Sequence, residues 1–397
     1  MALTGSVTLG PDRTGRIVAI VDGVIAAAAD PTAPVLACPD GDIAAGAVCA
    51  HTHLYSALAP YGMPAPEPAP TNFVEILERV WWQLDRGLDL DLMRLSARDY
   101  IAKALLAGTT SLIDHHESPN CIAGSLAVLQ QAAEDLGLRA LLCYGATERN
   151  GGRDEALAGL AECETVTPSA LVRGMVGLHA SFTVSDETVR EAGDLARRLG
   201  TVMHVHVAED AADVIDAKQR GYDGPLERLI DLGGLPTGSI IAHGVHLAPA
   251  QVRFAEAQGL WFVHNPRSNE GNRVGYAASL TASAHVALGT DGWPADMATE
   301  NRALRRLAEA NGDEHFAGRL EAGQTLMAER FGFAAAGLAV GAPGDVVVRE
   351  DGKVRHVIVA GRPVVRDGQL IGADAEAIEA EARAAAPGLW QRIAALP

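Results

Sequence analysis

The pair His51-Thr52-His53 follows the short apolar run Ala47-Val48-Cys49-Ala50. Residues two apart on a strand face the same way, so both imidazoles project together from the strand's carboxyl end, in a geometry suited to a metal ion. Taken alone, H-x-H fits equally well two polar residues opening a surface loop. The rest of the chain repeats the device. Met175 to Leu178 leads into His179, Val202-Met203 into His204-Val205-His206, and Ser239 to Ala242 into His243; Trp261 to Val263 leads into His264, and Val286 to Thr290 into Asp291.

Helix-like stretches, such as Glu187 to Leu199 and Ala248 to Gln258, separate these runs. Strands alternating with helices predict parallel β/α units, and continuous apolar strands predict a sheet buried on both faces. Adding Thr109 to Asp114 and Leu138 to Tyr144 gives eight candidate strands between Ala47 and Asp291. The predicted fold class is therefore α/β, a (β/α)8 TIM-like barrel, whose active site lies at the carboxyl ends of the strands. Outside it, residues 15–29 and 345–370 carry strand-like runs around Asp22-Gly23 and Asp367-Gly368, which read as β-hairpins. Pro39 to Gly46 reads as the incoming linker, Ala342-Pro343-Gly344 as the return, and the Ala- and Glu-rich tail from Ala373 to Ala395 as helix.

At this point the sequence resembles the amidohydrolase superfamily, and within it the cytosine deaminase-like aminohydrolases of triazines, purines and adenosine derivatives. The resemblance rests on His51-Thr52-His53, His206-Val207-Ala208-Glu209, Ala242-His243, His264-Asn265-Pro266-Arg267-Ser268-Asn269 and Gly289-Thr290-Asp291. A narrower likeness, to SsnA-type aminohydrolases, comes from Asn72 to Arg79 followed by Val80-Trp81-Trp82-Gln83. One departure is Ala45-Gly46, where members carry Pro-Gly before the first strand. The resemblance implies that both chain ends pair into a small β-sandwich. Expected domains are a metal-dependent catalytic barrel over 47–334 and a sandwich with a C-terminal helix from 1–46 and 335–397.

Three histidines and one carboxylate, with a position open to water, describe a catalytic rather than a structural metal site. The resemblance puts His51, His53, His206 and Asp291 in those places. Alternation leaves His204 and His206 equivalent; the H-x-x-E spacing to Glu209 selects His206, which leaves His204 behind the ligands. Two-metal relatives carry a lysine at the end of the fourth strand. Here that strand ends in His179 and the chain has only Lys103, Lys218 and Lys353, so one divalent ion is expected, zinc with iron as the substitute. Family precedent makes Glu209 the proton relay and His243 the residue that orients the attacking water. Asp291 assists proton removal.

Candidate substrate contacts are His179, Arg267 and Asn269, with Trp81 and Gln83 on a lid inserted after the first strand. Trp82 either joins them or anchors the insertion. Of His115 and His116, one is expected in the pocket, and His115 is taken as the candidate.

Net charge of −18 argues against partners with phosphate backbones, and 48% hydrophobic content suffices for a barrel core. Five cysteines without C-x-x-C spacing suit a reducing cytoplasm. No basic leader with an apolar core stands out, and no apolar run approaches the roughly 18 residues of a membrane span. The expected partners are a small heterocyclic substrate and water, with neither nucleic acid nor membrane, and assembly into a homo-oligomer. The expected reaction is hydrolytic deamination of an amino-substituted nitrogen heterocycle. Opening a cyclic amide, or expelling a halide or alkylamine, would use the same residues, whereas a silent scaffold would need none of them.

Overall fold

A computed structural model describes residues 3–396. The eight barrel strands, first to eighth, are Ala47–Thr52, Thr109–His116, Arg139–Ala146, Val176–Ala180, Met203–Val207, Ile240–His243, Trp261–His264 and Val286–Leu288. Each pairs with its successor in chain order, all in parallel. A parallel bridge between Thr52 and Asp291 joins the eighth strand's end to the first and closes the ring. All residues of the second and third strands are buried, as a sheet covered on both faces requires.

The connecting helices follow from ordinary local signals. In Asp186–Leu199 the Ser185 side chain accepts from the Thr188 amide, and Gly200, at φ 63°, ends the helix in the left-handed region. Its buried residues Thr188, Val189, Ala192, Leu195 and Ala196 recur at helical spacing and face the barrel, while charged residues face outward.

The two chain ends build a pair of small sheets. Val7–Leu9, Val18–Val21, Val24–Ala26 and Val35–Leu36 form one, and the other joins Asp42–Ala45 to Val346–Glu350, Lys353–Val359, Arg362–Arg366 and Gln369–Leu370. The turns at Asp22-Gly23 and Asp367-Gly368 both have positive φ at their two central residues, the twist-matched hairpin geometry. Val7, Leu9, Ile20, Ile43, Val346, Val348 and Ile358 fill the space between the sheets. The stretch expected as an incoming linker is therefore partly strand: Asp42–Ala45 pairs antiparallel with Val346–Arg349. The tail helix Ala375–Ala394 packs on the barrel side, where Ala382, Ala386, Leu389 and Trp390 meet Leu84, Leu88, Leu92 and Met93.

A buried ion pair clasps barrel and sheets within their shared apolar contact. Arg139, opening the third barrel strand, donates from Nε to Asp345 Oδ2 at 2.6 Å and from Nη2 to Oδ1 at 3.0 Å, with the Phe331 ring 4.8 Å from the guanidinium. Asp345 also accepts from the Ala360 amide at 2.7 Å. Removing one partner strands the other's charge, so Asp345→Ala should lower unfolding free energy by about 3–5 kcal/mol. Arg139→Met with Asp345→Leu should recover most of that loss. Urea titration of the three proteins measures both effects, and a loss below about 1 kcal/mol for the single variant would show the pair to be energetically idle.

Candidate active site

The alternation of the first strand sends His51 and His53 inward and Thr52 outward. Thr52 Oγ1 donates to the Asp291 carbonyl at 3.0 Å, and the Asp291 amide donates to the His51 carbonyl at 3.0 Å, so the loop after the eighth strand is pinned beside both histidines. Nitrogen or oxygen atoms of His51, His206, His243 and Asp291 lie within 4.8 Å of one another, all buried. His53 Nε2 lies 2.8 Å from Asp291 Oδ1 and completes the group.

The far ring nitrogens fix the imidazoles' orientation. His53 Nδ1 lies 2.6 Å from the His115 carbonyl, and His206 Nδ1 likewise bonds the His179 carbonyl. A carbonyl only accepts, so both Nδ1 atoms carry the proton and both Nε2 atoms turn toward the centre. His243 Nδ1 faces Asn269 Oδ1 at 2.8 Å, and His51 Nδ1 faces His204 Nε2 at 3.0 Å. The Nε2 atoms of His51 and His243 are buried without a hydrogen-bond partner among the described residues. Buried polar atoms are costly when unpaired, and backed imidazoles converging on a carboxylate form a donor set that fits a divalent cation.

Electrostatics agree with that fit. Burial lowers the His51 pKa to about 3 and pushes His206 well below its usual value, which keeps both in the neutral ligand form. Burial opposes ionisation of Asp291, but the nearby His51, 3.5 Å away, and the close contact and charge of His53 outweigh it and hold the carboxyl well below its usual range. His53 in turn is raised to about 10: burial pulls it down, and the Asp291 bond and charge and the Glu117 charge overcome that. A cation would displace this proton.

Glu209 reaches the centre through a backbone reversal. Ala208 has φ 52°, unusual for a residue with a Cβ, and its amide donates to the buried Asp213 Oδ2 at 2.7 Å. Glu209 Oε2 then lies 3.5 Å from His243 Nε2, while Oε1 accepts from Asn272 Nδ2 at 3.2 Å. Burial lifts the Glu209 pKa to about 7, against the pull of His243. His243 and Asp291 also adopt positive φ, at 73° and 54°, so the backbone turns sharply wherever it delivers a central side chain.

Above the centre lies a partly enclosed cavity. Its floor includes His53, His206, Glu209 and Asp291, and one wall is His179 and Phe182. The roof comes from the insertion after the first strand, where helix Phe73–Ile76 runs through a widened i→i+5 turn, Leu77–Trp81, into helix Trp82–Gly87. Phe73, Leu77, Trp81, Trp82 and Asp85 all line the cavity. Trp81 lies over Gly292, where an added Cβ would come within 3.0 Å of the indole.

Four residues expected at the substrate stand elsewhere. Arg267 is turned to the buried Glu300, which it bonds through its guanidinium and, at 2.9 Å, its amide. Asn269 backs His243 instead of facing the cavity. His115 is walled in, with Nε2 3.0 Å from the Leu178 carbonyl and Nδ1 2.8 Å from Glu117 Oε1. Gln83 donates to the Glu78 carbonyl at 3.0 Å, along the outside of the widened turn. His116 packs between Tyr55 and Tyr144. The interior at this level is already filled by His51, His204 and His206, so neither residue of the His115-His116 pair reaches the cavity.

Sequence reading missed Glu117, Tyr55 and Asp85, all of which line the cavity. Glu117 accepts from Tyr55 Oη at 2.9 Å; burial opposes its ionisation, but the His115 and His53 charges hold its pKa well below the usual range. Its position directly after a strand-end histidine pair was the available signal.

Comparison with known proteins agrees with this architecture. The chain is 27% identical over 339 residues to a 5'-deoxyadenosine deaminase of Methanopyrus kandleri, covering 75% of this chain and 76% of that one. It is 28% identical over 256 residues to a 5-methylthioadenosine/S-adenosylhomocysteine deaminase of Caldanaerobacter subterraneus, covering 62% of this chain and 56% of the relative. The fold superposes on a zinc-bound adenosine deaminase from Xanthomonas campestris with a TM-score of 0.82, at 23% identity and 99% coverage of both chains. A zinc complex of atrazine chlorohydrolase from Arthrobacter aurescens gives 0.78, at 18% identity, covering 96% of this chain and 100% of that one. A family model described as the amidohydrolase family matches residues 43–364, and the chain belongs to that family.

Proposed function

We propose that this chain is a metal-dependent deaminase that replaces the amino group of a nitrogen heterocycle by oxygen and releases ammonia. The observation that carries the reading is Glu209, with its pKa raised to about 7, placed 3.5 Å from Nε2 of His243, whose donor atom lies within 4.8 Å of those of His51, His206 and Asp291. His51, His53, His206 and Asp291 would hold one divalent ion, with zinc favoured by the zinc-bound relatives of the same fold and iron as the substitute. When bound, such an ion lowers the pKa of water to about 7 and so supplies a nucleophile at neutral pH. The barrel over 47–334 is read as the catalytic domain, with the paired ends as its companion.

The chain's own groups manage the protons. Glu209, whose burial makes its carboxyl hold a proton more tightly than usual, gives a proton to the ring nitrogen next to the amino-bearing carbon as oxygen adds there. It takes up both protons that the attacking water loses, passing the first to the amine and keeping the second as the C–N bond breaks to release ammonia and leave the carbonyl. His243, held by Asn269, faces the added oxygen. His179 and Trp81 flank a flat ring, and Phe73, Leu77 and Phe182 extend the apolar wall.

The lining carries Asp85, Glu117, Glu209, Asp210, Asp213 and Asp291, and no lysine or arginine. That favours neutral or cationic substrates over phosphorylated ones. The named relatives act on adenosine-type nucleosides, which carry the amidine-like unit this chemistry needs, so such nucleosides are the first candidates. Unpaired cysteines and the absence, among the described residues, of a helix long and apolar enough to cross a membrane support a cytoplasmic reading.

Elemental analysis of purified protein should give close to one divalent ion per chain. Excess zinc should raise the melting temperature of stripped protein but not of His51→Ala; two tightly held ions would overturn the one-metal reading.

Glu209→Gln should keep its metal while turnover falls at least ~10²–10⁴-fold, because the proton relay serves more than one step. Near-normal turnover in that variant would assign the relay elsewhere.

In an ammonia-release panel, aminopurine bases and nucleosides, aminopterins, aminopyrimidines and aminotriazines should include at least one substrate, with nucleotides much slower. A metal-replete enzyme that released no ammonia, yet opened a hydantoin or displaced chloride from a chlorotriazine, would replace deamination by that reaction.

A further inference from the structure

Asn272 lines the cavity just past the end of the short helix Pro266–Gly271 and touches both carboxyl groups of the centre, one directly and one through a hydroxyl. Its Nδ2 lies 3.2 Å from Glu209 Oε1 and 3.2 Å from Ser268 Oγ, and the buried Ser268 Oγ in turn bonds Asp291 Oδ2. Helix termination does not account for this side chain. Asn272 keeps a helical φ of −78°, and the left-handed residue that ends the helix is its neighbour Arg273, at 60°.

The direction of every bond in the chain follows from Asp291. A carboxylate only accepts, so the single Ser268 hydrogen is spent on Asp291 Oδ2, and the hydroxyl oxygen can meet Asn272 only as an acceptor. The Asn272 atom between Ser268 and Glu209 is therefore the NH2 nitrogen, and the orientation of the amide is fixed. Both of its hydrogens are then committed, one to Ser268 and one to Glu209 Oε1. When Glu209 is in its acid form, an N–H already points at Oε1, so the proton sits on Oε2. That is the oxygen 3.5 Å from His243 Nε2.

We propose that Asn272 is a positioning residue which, with its own orientation set by Ser268 and Asp291, places the transferable proton of Glu209 on Oε2, the side of the reacting atoms; its part in turnover rests on the deaminase reading above. In the first transfer the Oε2–H bond breaks and the proton joins the ring nitrogen. The carboxylate left behind keeps its Asn272 bond at Oε1, which leaves Oε2 free to collect the first proton that the attacking water loses.

Infrared difference spectra of zinc-loaded protein below neutrality read the proton's place without turnover. The C=O band of protonated Glu209 is the one lost in Glu209→Gln. With the proton on Oε2, that C=O is Oε1 and carries the Asn272 hydrogen bond, so Asn272→Leu should move the band to higher wavenumber. Should the Leu variant not fold, Asn272→Ala removes the same donor. Turnover is read as ammonia release from the fastest member of the panel above: kcat should fall about 10- to 100-fold with KM within about 3-fold, because the lost bond holds an ionising carboxyl and acts after binding. Asn272→Asp keeps the shape of the side chain but reverses its polarity. Its carboxylate accepts from Glu209, draws the proton to Oε1 and should cost more kcat than Leu, whereas a residue that merely filled space would rank the two the other way. An absent or unmoved band, a normal kcat, a loss confined to KM, or an Asp variant faster than Leu would overturn the proposal. If a metal-replete preparation releases no ammonia from any member of the panel, the deaminase reading falls, and the band shift alone decides the placement of the proton on Oε2.

Discussion

Closing the sheet between Thr52 and Asp291 brings together residues 239 positions apart, and the contacts of Asp291 with His51 and His53 depend on that join. His51 and His53 are delivered by one strand, Asp291 by the loop after another, and backbone bonds from Thr290 and Asp291 to the His51 carbonyl hold the two in register. A slip of one residue in the first strand would send Thr52 inward and both histidines toward the surrounding helices. The geometry of the centre is thus a property of strand register, and only secondarily of side-chain choice.

Around that join, the centre is assembled from groups that constrain one another. Carbonyls at His115 and His179 fix which nitrogen of His53 and His206 bears the proton, and Asn269 does the same for His243. Burial keeps His51 and His206 neutral while the Asp291 carboxylate stays charged, so a compact region concentrates lone pairs facing inward. Glu209 sits at the edge of this region, where burial holds its proton near the point of balance. Such divergent titration of neighbouring carboxyls is how one pocket supplies both an anion and an acid.

Much of this was legible in the chain. Strand-end polar residues, apolar runs and helical spacers place the barrel, and H-x-H and H-x-x-E with a final Asp place its centre. What stayed hidden depends on direction in space. Arg267 and Asn269 sit on the expected loop, but Glu300, from the helix Met297–Asn311, draws one outward and His243 draws the other inward. Gln83 and Asp85 differ by two positions on the insertion, and only the widened turn at Leu77–Trp81 decides which faces the cavity. Asp42–Ala45 looked like a linker because its partner, Val346–Arg349, lies some three hundred residues away.

The tail helix has a bearing on the cavity that its position in the chain does not suggest. Leu389 and Trp390 pack against Leu84 and Leu88 behind the roof, and an added Cβ at Gly87 would collide with Ile393 and Leu389. The roof is thus buttressed from outside by the last helix while Trp81 rests on Gly292 within. Access for a flat ring is consequently governed by how firmly residues remote from the chemistry are seated, and grafting or trimming at this end of the chain would retune the doorway without touching a single polar group at the centre.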